Sequence, residues 1–433
     1  MISTIRVNPK FHNGLTVWVF VLLFAGQGFR NLFSLTGYGI LTALTVAAVV
    51  ICFKDTFTIR RVSPLLLAFV TLATLSTIWS AYRIETLIAS VILIATSAVA
   101  LLIAMHYTWK QMLRLLNVGL LISVIGSFAF ELIVALIIRH PILPPFREFV
   151  SFTNIPKDSG VLNWDENLLF QGGPIQGFMG NRNLLGFVAL LLIVTSLLLL
   201  IDKQINIWLG LTGIIFGLVA HFLTRSATIG LALAAVAVIL GGIYLIRKTS
   251  EKRKRLTSWI FVAFCVVAGI IALKNTDHLF SAFDRDPNLT HRTDIWHQVI
   301  TVALQRPEGW GWVSYWPVWK APFKDLITLG GVPVSQAHNA FLDTWLQLGL
   351  LGIGLLVAIA LLLLSSSWRL VEHSRAGESI LPAGLFLLAG CLFFQALTES
   401  RLLLEGNWAL LVVLLTYTPQ VFRKTRLQPI VEV

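Results

Sequence analysis

The chain has 433 residues, of which 56% are hydrophobic and only 12% charged, and its mean hydropathy is +0.81. These proportions exclude an ordinary soluble globular protein and make lipid the principal solvent. A net charge of +12 would suggest nucleic acid in a soluble domain, but in a membrane chain basic residues are sorted first by membrane side, and no nucleic-acid partner is expected.

Taken in chain order, apolar stretches long enough for the hydrocarbon core lie near 14–33, 36–53, 63–80, 85–106, 113–138, 183–201, 206–222, 227–246, 257–273, 340–366, 380–398 and 403–421. They predict twelve transmembrane helices in one polytopic membrane domain over 1–433, with the lipid bilayer as its surroundings. The first stretch ends in Gln27-Gly28-Phe29-Arg30 and not at a small-residue cleavage site, so it reads as a span and not as a signal peptide. Cys52, Cys265 and Cys391 fall inside apolar runs and read as small buried hydrophobes.

Placing both termini in the cytoplasm assigns the basic clusters Lys54/Arg60/Arg61, Lys110/Arg114, Lys203, Arg247 to Arg255, Arg369/Arg375 and Arg423/Lys424/Arg426 to the inner side, which satisfies the positive-inside rule. Two long loops, 139–182 and 274–339, then face outward. Arg30, Arg83, Arg225 and Arg401 stand singly in the short outer loops. Loops of this length usually carry function, so the outer face of the cell (cytoplasmic) membrane is the expected working face. Glu131 lies inside the fifth apolar stretch, either as a buried protonated or paired acid or as a proton-coupling group of a transporter.

The strongest chemical candidate is Gln336-Ala337-His338-Asn339-Ala340-Phe341-Leu342-Asp343, where a long polar loop turns into the tenth span. A histidine at a helix N-terminus is disfavoured as imidazolium by the helix dipole and can accept a proton near neutral pH; a capping residue would sit there equally well. Asn339 and Asp343, four apart, either orient it or cap the helix. Arg182, Arg225 and Arg292 recur beside other outer boundaries. A guanidinium fork suits a diphosphate, although a single outer arginine also reaches lipid headgroups. Trp310, Trp312, Trp316 and Trp319 crowd one segment, offering flat faces to sugars or forming an interfacial belt or loop core. Asp284-Arg285-Asp286, His291 and His297 lack the further ligands that a metal site needs, so no metal is expected. Glu399, Arg401 and Glu405 read as a charge network, or as an acid that orients the histidine.

At these residues the sequence resembles the O-antigen ligase family, which shares a domain with many O-antigen polymerases. The pieces that carry the resemblance are Gly180-Asn-Arg-Asn-Leu-Leu-Gly186, Leu223-Thr-Arg-Ser-Ala-Thr228, Leu289-Thr-His-Arg-Thr-Asp-Ile-Trp296, Gly309-Trp-Gly-Trp312, Ala337-His-Asn339 and Leu348-Gly-Leu-Leu-Gly352. The resemblance implies an all-α membrane protein similar to the GT-C type glycosyltransferase fold. It also implies a metal-independent, cofactor-free, inverting transfer from a polyprenyl-diphosphate-linked glycan donor to a glycan or glycolipid acceptor. In that scheme His338 matches the family's essential loop histidine, Arg182 the arginine near the sixth span, and Arg292 the arginine at the start of the large outer loop. Arg225 departs from the usual order by preceding Ser226. Asn181, Asn183, Asn339, Trp310, Trp312, Trp316 and Arg83 join Arg225 as candidate substrate contacts. The wording of Trp310 to Trp316 and of Thr398-Glu-Ser-Arg-Leu402 resembles members from actinobacteria, which implies a cell-wall or membrane glycan as acceptor. A polysaccharide polymerase using the same donor is the nearest alternative, and a non-enzymatic flippase or transporter is the alternative of another class.

Overall fold

The computed structural model describes residues 8–146, 163–274, 292–324, 326–329 and 332–427. Its regular structure is helical: α1 (Pro9–Phe24), α2 (Gly26–Phe53), α3 (Pro64–Leu75), α4 (Arg83–His106), α5 (Trp109–Ile133), α6 (Arg182–Ile201), α7 (Ile207–Thr224), α8 (Ala227–Lys248), α9 (Glu251–Lys274), α10 (Arg292–Ala303), α11 (Ala340–Glu372), α12 (Ala383–Ala396) and α13 (Glu405–Leu427). A short antiparallel pair, β1 (Thr328–Leu329) with β2 (Val332–Pro333), lies in the long loop before α11. Among the described residues, 8 helices are long and apolar enough to cross a membrane, and the chain is an all-α, multi-pass membrane protein.

Each apolar stretch read from the sequence falls on helix, but three of them differ in their boundaries. Inside the stretch at 14–33 α1 stops at Phe24 and α2 starts at Gly26, and α2 is itself interrupted at Ser34 (φ 68°, ψ 171°), between the stretches 14–33 and 36–53. Glycine is required at this junction, because a Cβ at Gly26 would lie 2.6 Å from the Tyr38 hydroxyl and one at Gly28 would lie 2.3 Å from the Phe178 carbonyl oxygen. The segments at 63–80 and 380–398 contain shorter helices, Pro64–Ile78 and Ala383–Ala396, than a full bilayer crossing uses.

The chain groups into two compact units, one of residues 1–62, 95–229 and 405–416, the other of residues 63–94, 230–404 and 417–433. The first unit is built on close helix packing. α7 presents Gly210, Gly213 and Gly217 to α6, where a Cβ would meet Leu200, Ser196 and Ile193 within 3 Å. Small residues of this kind let membrane helices approach where no hydrophobic driving force is available. Asn117 of α5 donates to Thr195 (2.9 Å) and Ser196 (2.8 Å) of α6, so its buried amide is satisfied inside the helix bundle. Asparagine also starts helices here: Asn8, Asn181 and Asn206 cap α1, α6 and α7 through their side-chain oxygens.

Glu131 of α5 is buried, and its Oε1 accepts from the backbone N–H groups of Gln176 (2.9 Å) and Gly177 (2.7 Å). The acid therefore ties the loop before α6 to α5, a structural use that supports the buried-acid reading over proton coupling.

In the second unit the core gathers Tyr82, Ile295, Val299, Ala303, Val313, Trp316 and Phe323 beneath the long loop. Helix α11 is interrupted at Gly349, whose φ of 65° and ψ of −161° are not helical. The segment Arg306–Trp312 fills this break. Trp310 N–H donates to Leu346 O (3.0 Å), Gly311 N–H donates to Gln347 O (2.9 Å), and Leu350 N–H donates to Pro307 O (2.9 Å). Backbone groups freed by the interruption are thus satisfied without water, as a membrane interior demands. Gly309 and Gly349 meet at this joint, where a Cβ on either would lie within 2.4 Å of the opposing backbone.

Candidate active site

His338 sits at the mouth of α11, in the left-handed region at φ 50°. Asn339 follows as the N-cap and accepts from Phe341 N–H (3.0 Å) and Leu342 N–H (3.1 Å), while its amide donates to Leu397 O (3.2 Å). The Asn339 side chain thus caps α11 and braces it against Leu397, the capping alternative of the sequence reading.

His338 Nδ1 lies 3.0 Å from Glu399 Oε2, and Glu399 Oε1 lies 3.1 Å from an Arg292 Nη atom. Glu399 is 7% exposed and Arg292 8%, whereas the His338 side chain retains 29% exposure. Burial pushes the Glu399 carboxyl toward its neutral form, but the hydrogen bond from His338 and the charges of His338, Arg292 and Arg401 outweigh this and hold it below the ordinary carboxylate value. An ionised carboxylate only accepts, so Nδ1 carries the proton shared with Glu399 and Nε2 is the nitrogen left for proton exchange. No hydrogen bond engages Nε2 among the described residues. The arrangement is that of a histidine held in one tautomer with a basic nitrogen turned away from its orienting acid.

Arg401, also buried, donates to the Tyr315 hydroxyl at 2.7 Å and lies over its ring at 5.7 Å. With neutral imidazole, Arg292 and Arg401 outnumber Glu399, leaving the cluster with excess positive charge suited to an anion. The sequence left Glu399 between a structural charge network and an acid that orients the histidine. Its signal was an acid three residues from the end of an apolar helix, at α12, beside a second charged residue.

The tryptophans are sorted by burial. Trp312 is 1% exposed, packs edge-on against Phe69 at 5.7 Å, and is fixed through its backbone N–H to Ser76 (2.9 Å). Trp316 is 3% exposed and stacks on Phe323 at 5.1 Å. Neither presents a ring face to a sugar. Both are core residues, the loop-core alternative of the sequence reading; truncating side chains of this kind to Ala costs about 3–5 kcal/mol. Trp310 is partly buried, with Arg306 over its ring at 4.1 Å and its indole N–H on Val302 O at 3.1 Å. Arg83 is exposed at the start of α4.

The remaining candidates lie in the first unit. Arg182 is the first residue of α6, directly after the cap Asn181, whose side-chain oxygen accepts from Asn183 N–H (2.9 Å) and Leu184 N–H (3.1 Å). Asn183 in turn accepts from the Ser226 hydroxyl at 2.9 Å. Arg225 ends α7 at φ 46° and donates from Nε to Gly172 O at 2.8 Å. The motifs at 180–186 and 223–228, separate in sequence, are therefore joined by the Asn183–Ser226 bond. Asp284, Asp286 and His291 fall outside the described residues. Among those described, no group of three or more His, Cys, Asp and Glu side chains is gathered as a metal site would be.

A multi-pass helical protein with a carboxylate-oriented histidine at a broken-helix N-terminus is the class that these observations define. Residues 212–357 match the family model described as O-antigen ligase, the family that the motifs resemble. The chain is also similar to the exopolysaccharide production protein ExoQ of Rhizobium meliloti (strain 1021), with 29% identity over 242 residues. That similarity covers 52% of this chain and 54% of the relative, so the chain spans about half the length of the curated relative it matches. Together the two matches support placement in the O-antigen ligase family.

Proposed function

We propose that the protein transfers a glycan from a polyprenyl-diphosphate carrier to an acceptor sugar hydroxyl at the outer face of the cell membrane, with His338 as general base. The observation that carries this reading is the His338–Glu399–Arg292 chain of contacts. In the proposed step His338 Nε2 takes the acceptor hydroxyl proton while that oxygen bonds to the anomeric carbon. The bond from that carbon to the diphosphate oxygen breaks on the opposite face, the electron pair leaves with the polyprenyl diphosphate, and the configuration inverts. The imidazolium that forms is stabilised by Glu399. Arg292 makes one hydrogen bond among the described residues, to Glu399, and a guanidinium has further N–H donors to offer the diphosphate. The resemblance assigns Arg182 a part in holding the same leaving group, and Arg225 a lesser one. No cofactor enters this scheme.

A second reading shares the donor but takes a lipid-linked repeat as acceptor, making the protein a polymerase; the relative named for exopolysaccharide production supports it. Purified protein given a polyprenyl-diphosphate-linked glycan and candidate acceptors tests both. New glycosidic product with release of polyprenyl diphosphate is expected. A single added block indicates ligation, whereas a ladder of repeats indicates polymerisation. Movement of intact donor across a vesicle membrane with no new bond would overturn the transferase reading in favour of a flippase.

A further inference from the structure

We propose that Asp343 is a positioning residue for His338, fixing the peptide unit that precedes it; this rests on the reading of His338 as the base. His338 occupies a left-handed backbone conformation that a residue with a Cβ adopts only when its surroundings hold it there. Its half of α11, from Ala340 to the interruption at Gly349, is set off from the rest of the helix by that break. What fixes it is Ala337, pinned from both sides. Ala337 N–H donates to Asp343 Oδ2 at 3.1 Å, and Ala337 O accepts from the Trp296 indole N–H at 3.1 Å.

Asp343 is 2% exposed, and its other oxygen is as fully used. Oδ1 accepts from the Trp316 indole N–H at 2.7 Å and from the Gln347 amide at 3.0 Å, and Gln347 in turn accepts Val313 N–H at 2.8 Å. All the groups converging on Asp343 are donors, a set that suits a carboxylate and leaves no acceptor for the NH₂ of an asparagine. An ionisable residue inside an apolar span is costly and is kept where it has a function. Asp343 makes no hydrogen bond to His338 or Glu399 among the described residues, so it acts through backbone. Trp296 stands four residues after Arg292 on α10, so the helix that supplies the Glu399 ion pair also grips Ala337. The His338 imidazole thus meets Glu399 because its preceding peptide is clamped between Asp343 and Trp296.

The test uses full-length protein in the transfer assay. Asp343→Asn is expected to lower kcat about 10–100-fold while the donor KM stays within about twofold, since misplacing a base by about an ångström costs on that order. The loss should be sub-additive with Glu399→Gln: the double variant should be no more than about threefold slower than the slower single variant, because both act through one imidazole. Trp296→Phe removes the other grip on Ala337 while keeping an aromatic ring, and it decides the matter if Asp343→Asn does not fold. It should lower kcat about 3–10-fold, again sub-additively with Glu399→Gln. Unchanged kcat, or losses that multiply with Glu399→Gln, would overturn the positioning role. An inactive His338→Ala beside a fully active Asp343→Asn sinks this inference alone, whereas an active His338→Ala sinks the base assignment itself.

Discussion

His338 and Glu399 stand 61 positions apart in the chain, yet their Nδ1 and Oε2 atoms lie 3.0 Å apart. The pair joins the start of α11 to the segment after α12, and it sets which imidazole nitrogen is basic. Arg292 completes the set from α10, so three separate elements of one unit contribute one group each.

Replacing Glu399 with Gln should lower kcat about 10²–10⁴-fold, because the amide can still accept from Nδ1–H but cannot stabilise an imidazolium. A stability signature follows from the depressed carboxyl of Glu399. Such a group contributes fully above the ordinary carboxylate value of about 4.3, and its contribution disappears as pH falls through the lower folded-state value. Thermal melts of Glu399→Gln should therefore fall below wild type at pH 7, and the gap should close on acidification below about pH 4. A gap that widens with acid would contradict the ionised Glu399.

At the interruption of α11, Gly349→Ala should destabilise the protein by at least about 2 kcal/mol, since it combines a strained backbone with a backbone clash. A Cβ there would lie 1.9 Å from Pro307 O. The melting temperature in detergent measures this, and an unchanged value would mean that the joint with Arg306–Trp312 is not rigid.

Arg182 and Arg225 should separate kinetically. Arg182→Ala is expected to lower kcat and kcat/KM together by about 10–100-fold, as loss of a contact to developing charge does. Arg225 holds Gly172 O and terminates α7, so Arg225→Ala should lower the melting temperature more than it lowers kcat. The reverse ordering would move Arg225 into the substrate site and Arg182 out of it.

The helices were legible because lipid demands long apolar runs, and His338 was legible because a histidine before an asparagine cap at the edge of such a run is conspicuous. Three features were not. The break in α11 is invisible to hydropathy: Gly349 sits in an apolar run, and its partner is a glycine forty positions earlier, at Gly309. The tryptophan cluster was left between sugar contact and loop core because composition cannot tell a stacking face from a packed one. Trp312 and Trp316 are buried by contacts to Phe69 and Phe323, which only the tertiary structure supplies. Asp343 was read with Asn339, four residues away, as orienting His338 or capping the helix, but its target is the backbone of Ala337, which no spacing rule indicates.

The central claim is that His338 removes the proton from the acceptor hydroxyl. Single-turnover transfer by His338→Ala, in protein whose melting temperature matches wild type, tests it most directly. A chemical step slowed at least about 10²–10⁴-fold with donor binding retained is expected. Transfer at near wild-type speed would contradict it.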